Sequence, residues 1–200
     1  MQPGLFPVEK SEPGRSVPGL ACIPGFIDPS EEETLLRTID GQSWLGDLKR
    51  RVQHYGYRYD YKARSVSRDL YLGPLPDWLA SLTDRLYSKR VFPQQPDQAI
   101  INEYMPGQGI APHIDCVPCF TDTVVSLSLG SACVMDFAQV GSKEKISMLL
   151  EPRSLLVLSG DARYKWTHAI APRKSDKIDG AIIPRHRRVS VTFRRVILDS

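Results

Sequence analysis

The sequence predicts an α+β protein that is mainly β, with two helices outside an antiparallel core of sandwich, jelly-roll or barrel type. The first observation behind this is the second half of the chain. AIINEY, VVSLSLG, CVMDFAQ, ISMLLE, SLLVLSG and RVSVTFRRV are short, β-branched-rich runs divided by turn formers such as PGQG, GSKEK and EPRS. Short strands at that spacing fold into closed or doubled sheets. The second is that helical periodicity is confined to the residues before position 97. The third is size: 200 residues with 42% hydrophobic content supply one core of ordinary domain dimensions, roughly 100–200 residues.

Residues 1–18 mix Pro, Gly and charge without apolar periodicity and are expected to be a mobile lead-in. One domain is expected over 19–200, divided into an N-terminal extension (19–97) and a β core (98–200). Residues 19–27 (GLACIPGFI) are apolar enough to add a strand. A helix start follows: Asp28 can cap, Pro29 suits the first turn, and Glu31 sits at the capping-box position. Leu35, Leu36 and Ile39 form its apolar face. From Ser43 to Arg68 bases interleave with aromatics, and Tyr55, Tyr57, Tyr59 and Tyr61 alternate. Period two predicts a strand or ribbon with all four rings on one face. A second helix is expected over 74–91, with Pro76 in its first turn and Trp78, Leu79, Leu82 and Leu86 at helical spacing.

The net charge of +3 names no partner. There is no basic-then-apolar leader at the start, and no apolar run approaches the ~20 residues of a membrane span. A cytoplasmic, non-membrane, monomeric protein is expected, with a nuclear location as the alternative in a eukaryote. Cys22, Cys116, Cys119 and Cys133 are too few for a disulfide scaffold, so reduced thiols are expected. A single Cys116-x-x-Cys119 pair falls short of a zinc signature, which wants two such pairs.

The chemistry is concentrated between Ile100 and Arg194. His113-x-Asp115 offers an imidazole and a carboxylate on one side of an extended segment. His168 follows its own apolar run, SLLVLSG. Two histidines and one carboxylate compose the open triad of non-haem iron oxygenases. On the last strand Arg188, Ser190, Thr192 and Arg194 share one parity. Four polar residues on one face of an apolar strand either meet water or bind something, and paired guanidiniums suit carboxylates. Asn102 and Tyr104 share a face just ahead of His113 and can hydrogen-bond a carboxylate ligand beside a metal.

Taken in order, Asn102-x-Tyr104, His113-x-Asp115, SLSLG at 126–130, Gly160-x-x-Arg163, His168 and Arg188-x5-Arg194 resemble the AlkB family of Fe(II)- and 2-oxoglutarate-dependent dioxygenases. The resemblance covers about half the chain and is greatest for the tRNA wobble-uridine hydroxylase branch. It implies a double-stranded β-helix, or jelly roll, with flanking N-terminal helices. It implies Fe(II) held by His113, Asp115 and His168, which are also the catalytic residues. 2-Oxoglutarate is implied at Asn102, Tyr104, Arg188, Ser190 and Arg194, with O2 as the second cosubstrate. It places a nucleotide-recognition lid within 49–68, so that Arg50, Arg51, Tyr55, Tyr57 and Tyr59, with Arg163 from the core, become substrate candidates. Bases among aromatics suit nucleic acid, and chemistry on a base calls for single-stranded DNA or RNA or a flipped nucleotide. A second basic region, 173–188, is expected to loop beside the site mouth. The leading expectation is oxidative demethylation of N-alkylated bases, releasing formaldehyde, succinate and CO2. The alternatives are tRNA uridine hydroxylation and a protein-directed or non-catalytic binding module.

Overall fold

The computed structural model describes residues 17–46 and 49–198. The lead-in expected over 1–18 therefore lies outside the described residues as far as position 16. Its last two residues are packed: Val17 is buried among the core side chains, and the Pro18 carbonyl accepts from Ala162 N.

Strand β1 (Leu20–Ile23) opens the described chain. Helix α1 (Pro29–Asp40) follows, started by Asp28, whose carboxylate accepts from Glu31 N at 2.9 Å. Leu35 and Ile39 bury one face of α1. Helix α2 (Asp77–Ser88) buries Leu79, Leu82 and Leu86 at the spacing its sequence sets. Between them lies β2 (Val52–Tyr55). The remaining strands are β3 (Gln98–Tyr104), β4 (Ile110–His113), β5 (Phe120–Gly130), β6 (Cys133–Gln139), β7 (Lys145–Leu150) and β8 (Leu155–Leu158). After the one-turn helix α3 (Gly160–Tyr164) come β9 (Trp166–Ile170), β10 (Ser175–Ile178), β11 (Ala181–Pro184) and β12 (Arg188–Val196). No helix among the described residues is long and apolar enough to cross a membrane.

Two antiparallel sheets form the jelly roll. The larger runs β1-β8-β5-β12-β3-β2 and the smaller β4-β9-β6-β7, with β10-β11 as a separate hairpin. β12 is central: Arg188 pairs with Tyr104 on one side and Gly130 on the other, and the register holds unbroken to Arg194. Alternation along β12 then divides the molecule. Val189, Val191 and Phe193 join Leu35, Ile39, Leu79 and Leu82 beneath the helices. Arg188, Ser190, Thr192 and Arg194 face the space between the sheets. Burying the apolar side chains at roughly 1.5–3 kcal/mol each makes this face assignment stable.

Two expectations for the extension and the core need correction. The four alternating tyrosines do not share a strand. β2 ends at Tyr55, and the chain turns at Gly56, whose φ is +74° and where a Cβ would lie 1.9 Å from the Asp97 carbonyl oxygen. A left-handed turn against backbone leaves no room for a side chain. Gly56→Ala is therefore expected to destabilise the fold by more than ~1 kcal/mol, read as a lowered midpoint in urea unfolding. Residues 173–188 are not a free basic loop either. They contain the β10–β11 hairpin, and Arg173 and Arg185 both pair with buried Asp176 at 2.6–2.7 Å. Arg187 is occupied by Asp40 and Glu103.

Glu103 faces away from the intersheet space and accepts from Arg51 at 2.6 and 2.7 Å and from Arg187 at 2.7 Å. The Arg51 hydrogen bonds first, and Arg187 after them, hold its carboxyl below the usual range against the opposing effect of burial. A lowered folded pKa adds stability above the unfolded value of ~4.3 and loses it as pH falls through the folded value. Glu103→Gln is expected to lower the denaturation midpoint at pH 7, and the difference from the parent is expected to shrink as pH falls below about 4. Equal differences at pH 7 and pH 3 would refute the assignment.

Candidate active site

The intersheet space is a cavity of about 550 Å3. One wall carries His113 from the end of β4, Asp115 just beyond it, and His168 from the middle of β9. β4 and β9 are paired so that His113 is the register partner of His168, and the two rings lie 4.3 Å apart. His168 Nε2 is 3.8 Å from Asp115 Oδ2. The Nδ1 of His113 is 2.9 Å from the Ala111 carbonyl oxygen. Only an N–H satisfies a carbonyl, so Nδ1 is the donor here and Nε2 is the ring nitrogen left to face a metal. Burial pushes the His168 imidazole down to about 4, Asp115 opposing it, so the His168 ring is neutral near pH 7. For Asp115, burial pushes the carboxyl up, but Arg194, followed by the two histidines and Arg163, outweighs it and holds the group well below the ordinary carboxylate range. Two imidazoles and an ionised carboxylate are a donor set that fits a divalent iron with open positions. His113, Asp115 and His168 are the residues that could hold it.

The opposite part of the cavity is built by the three central strands, β5, β12 and β3. Arg188 is buried there. Its Nη2 donates to Ser128 Oγ at 2.9 Å, its guanidinium carbon lies 5.5 Å from the Tyr104 ring centroid, and its Nε finds no acceptor among the described residues. Arg194 donates from Nη2 to Asp115 Oδ1 at 2.7 Å and lies over Phe120, and among the described residues its Nε is also unpartnered. Asn102, Tyr104, Ser190 and Thr192 share the same lining. Buried N–H groups without acceptors are rare in folded chains. Two of them, on guanidiniums facing one cavity, fit a small dianionic acid such as 2-oxoglutarate.

The lid candidates separate. Arg50 and Tyr59 line the cavity, and Arg50 Nε donates to Asn102 Oδ1 at 2.8 Å. Tyr55 does not line it. Its ring packs edge-on against Trp78 over the helix-side core, and its hydroxyl donates to Gln53. Tyr57 packs against the tilted Tyr71 ring beside the small apolar group of Cys119, Phe120 and Val196, and Arg51 is held by Glu103 over the Trp44 ring. Each has a structural partner that accounts for it. Arg163 is 2% exposed and donates to the Asp115 and Cys116 carbonyl oxygens at 2.9 and 3.1 Å. It fixes the backbone behind Asp115 and does not reach the substrate space. Tyr61 and Arg64 do line the cavity. Their signal was present in the basic-aromatic run, but a strict period-two face could not single them out once the strand ends at Tyr55.

Cys116 and Cys119 form a disulfide, which corrects the expectation of reduced thiols at these two positions. The bridge closes the loop directly after Asp115, with its sulfurs 3.3 and 3.5 Å from the Arg64 carbonyl oxygen in the segment that follows β2. Cys22 and Cys133 are free.

Comparison with known proteins bears on this geometry. The model of the 2OG-Fe(II) oxygenase superfamily matches residues 41–194. An uncharacterized protein, L905, of Acanthamoeba polyphaga mimivirus is 38% identical over 94% of this chain and 90% of its own. The alkylated DNA repair protein ALKBH8 homolog of Arabidopsis thaliana is 38% identical over 95% of this chain. This chain belongs to the AlkB branch of the 2OG-Fe(II) oxygenase superfamily. It is a dioxygenase, and its family implies Fe(II), 2-oxoglutarate and O2. The mouse tRNA (carboxymethyluridine(34)-5-O)-methyltransferase ALKBH8 is 39% identical over 90% of this enzyme. The enzyme spans 62% of the Arabidopsis relative and 30% of the mouse one. The solved structure of OsALKBH1 superposes with a TM-score of 0.68 at 20% identity, covering 90% of this enzyme and 98% of that chain, which agrees with the jelly roll described above.

Proposed function

We propose that the enzyme oxidises a C–H bond on a nucleobase of single-stranded nucleic acid, with the uridine of tRNA as the best-supported target. The observation that carries this is the composition of one cavity. A two-histidine, one-carboxylate wall and a doubly cationic wall meet beneath a lid bearing Tyr59, Tyr61, Arg50 and Arg64. Aromatic faces stack on bases and cations meet phosphates, and a base must leave its stack to enter such a space. The two ALKBH8 methyltransferases from Xenopus tropicalis and mouse carry tRNA carboxymethyluridine in their names and are 38% and 39% identical. The Danio rerio ALKBH6, a probable RNA/DNA demethylase, is 29% identical. N-Demethylation is the second reading, favoured by the repair name of the Arabidopsis relative.

When bound, iron with 2-oxoglutarate and O2 supplies the oxidation, consuming the dicarboxylate to succinate and CO2. The chain does the rest. His113, Asp115 and His168 would present three donor atoms from one wall, and Arg194 keeps the carboxylate ionised and aimed. Arg188, with Ser128, Ser190, Asn102 and Tyr104, would receive the dicarboxylate. The apolar wall of Ile100, Val124, Leu156 and Leu158 excludes water. Tyr59 and Tyr61, edge to face at 5.1 Å, would close over the base.

The test is turnover by protein loaded with Fe(II), 2-oxoglutarate and O2, given bulk tRNA in one arm and N-methylated single-stranded DNA in another. A nucleoside in tRNA gaining one oxygen, with succinate and without formaldehyde, is expected. Formaldehyde from the DNA arm would move the assignment to demethylation. No turnover above a His113→Ala control in either arm would overturn both.

A further inference from the structure

The structure holds a second, larger space that the reaction does not account for. It is about 880 Å3 and lies on the outer face of the smaller sheet. Alternation explains its floor. On β6, β7 and β9 the side chains of Phe137, Ile146, Trp166 and Ile170 pack into the intersheet core. Their neighbours Ala138, Ser147 and Ala169 fall on the opposite face and are small, so a trough opens along the sheet. Its side is the loop that includes Gly107 and Gly109. Gly109 stands so close to the next segment that a Cβ would come 2.1 Å from the Ile170 carbonyl oxygen.

The trough is continuous with the catalytic cavity. Arg50, Ile110, Pro112, Thr167 and Ile170 line both. Lys49 and Arg50 stand at the shared end, and exposed Lys145 borders the groove from β7. The carboxylate in the groove, Asp136, already accepts from Ser147 Oγ at 2.6 Å. A flat, mostly uncharged floor with cations on its rim suits a planar ring carried between two phosphates. Its volume falls within the range of small-molecule sites, roughly 300–1,000 Å3.

We propose that this groove seats a nucleotide adjacent in the strand to the one that enters the catalytic cavity. It would make the enzyme select by the neighbouring residue as well as by the target base. The proposal rests on the nucleic-acid reading above. Arg50 is then the divider: it is anchored to Asn102 on the catalytic side and presents its charge where the linking phosphate crosses from one space to the other.

The experiment measures binding of 5′-fluorescein-labelled single-stranded pentauridylate by anisotropy, using the Fe(II)- and 2-oxoglutarate-loaded protein without O2. Ala169→Trp fills the floor of the groove at a position that does not line the catalytic cavity. Lys145→Glu reverses the rim charge on an exposed residue and remains informative if the tryptophan variant does not fold. Lys143→Glu makes the same charge change at an exposed site outside the groove. Ala169→Trp and Lys145→Glu are each expected to weaken pentauridylate by about tenfold, or ~1.4 kcal/mol. 2-Oxoglutarate affinity should be unchanged, and Lys143→Glu should stay within about twofold of the parent. Pentauridylate affinity within about twofold of the parent in folded Lys145→Glu and Ala169→Trp would overturn the groove, and so would an equal loss in Lys143→Glu. A parent protein that binds neither pentauridylate nor tRNA would overturn the nucleic-acid reading together with it.

Discussion

Replacing Arg194 by alanine is expected to cost about 3–5 kcal/mol of folding stability and to abolish turnover. Asp115 is 8% exposed, and its Oδ1 accepts from Arg194 at 2.7 Å. Removing one member of a buried, hydrogen-bonded ion pair leaves the other charge desolvated and unpaired, which is where losses of that size arise. The guanidinium also covers the Phe120 ring at 4.9 Å, so truncation opens a gap beside that ring. Arg194→Lys keeps the charge without the fork and is expected to recover part of the stability and little of the activity. Urea unfolding of the metal-free proteins gives the first number, and succinate release gives the second. A loss below about 1 kcal/mol would mean that Asp115 is solvated well enough to stand alone.

Arg188→Ala is expected to leave the fold intact and to raise the 2-oxoglutarate requirement by at least ~30-fold. The contrast with Arg194 follows from their partners. Among the described residues Arg188 donates to a neutral hydroxyl, Ser128, and its Nε has no acceptor, so its removal strands no carboxylate. A buried charged hydrogen bond to a ligand is worth about 2–5 kcal/mol when one partner is truncated. That converts to a factor of roughly 30 to several thousand in affinity. Isothermal titration of 2-oxoglutarate into the Fe(II)-loaded, O2-free protein measures it directly. Unchanged affinity would remove Arg188 from the ligand shell.

The fold was legible wherever local and tertiary preferences agree. The face of α1 set by Leu35 and Ile39, and the parity that divides Val189, Val191 and Phe193 from Arg188, Ser190, Thr192 and Arg194, are periodicities that packing then uses. The same parity brought the two arginines, Asn102 and Tyr104 into one lining. What failed was the lid. Tyr55 to Tyr61 has strand periodicity, but Gly56 turns the chain where Asp97 crowds it. That crowding comes from a segment about forty positions away and leaves no local mark. Charge was the other blind spot. The bases of 173–188 look free in sequence because Asp176, Asp40 and Glu103 lie on other elements or are masked within the run itself. The β4 and β9 strands that carry His113 and His168 were also missed. They are four and five residues long, too short to show a period.

The double pairing of β12 also bears on how this protein can change over evolutionary time. From Arg188 to Arg194 each residue has a register partner on both β3 and β5. A single-residue insertion or deletion there would exchange the faces, driving guanidiniums under the helices and Val189, Val191 and Phe193 into the cavity. Side chains of this strand can be exchanged within the register, whereas a change in its length breaks it. Length variation is left to places such as the exposed turn at 140–144 between β6 and β7, and the register shift between Arg194 and Val196. There an added residue is absorbed without moving either arginine.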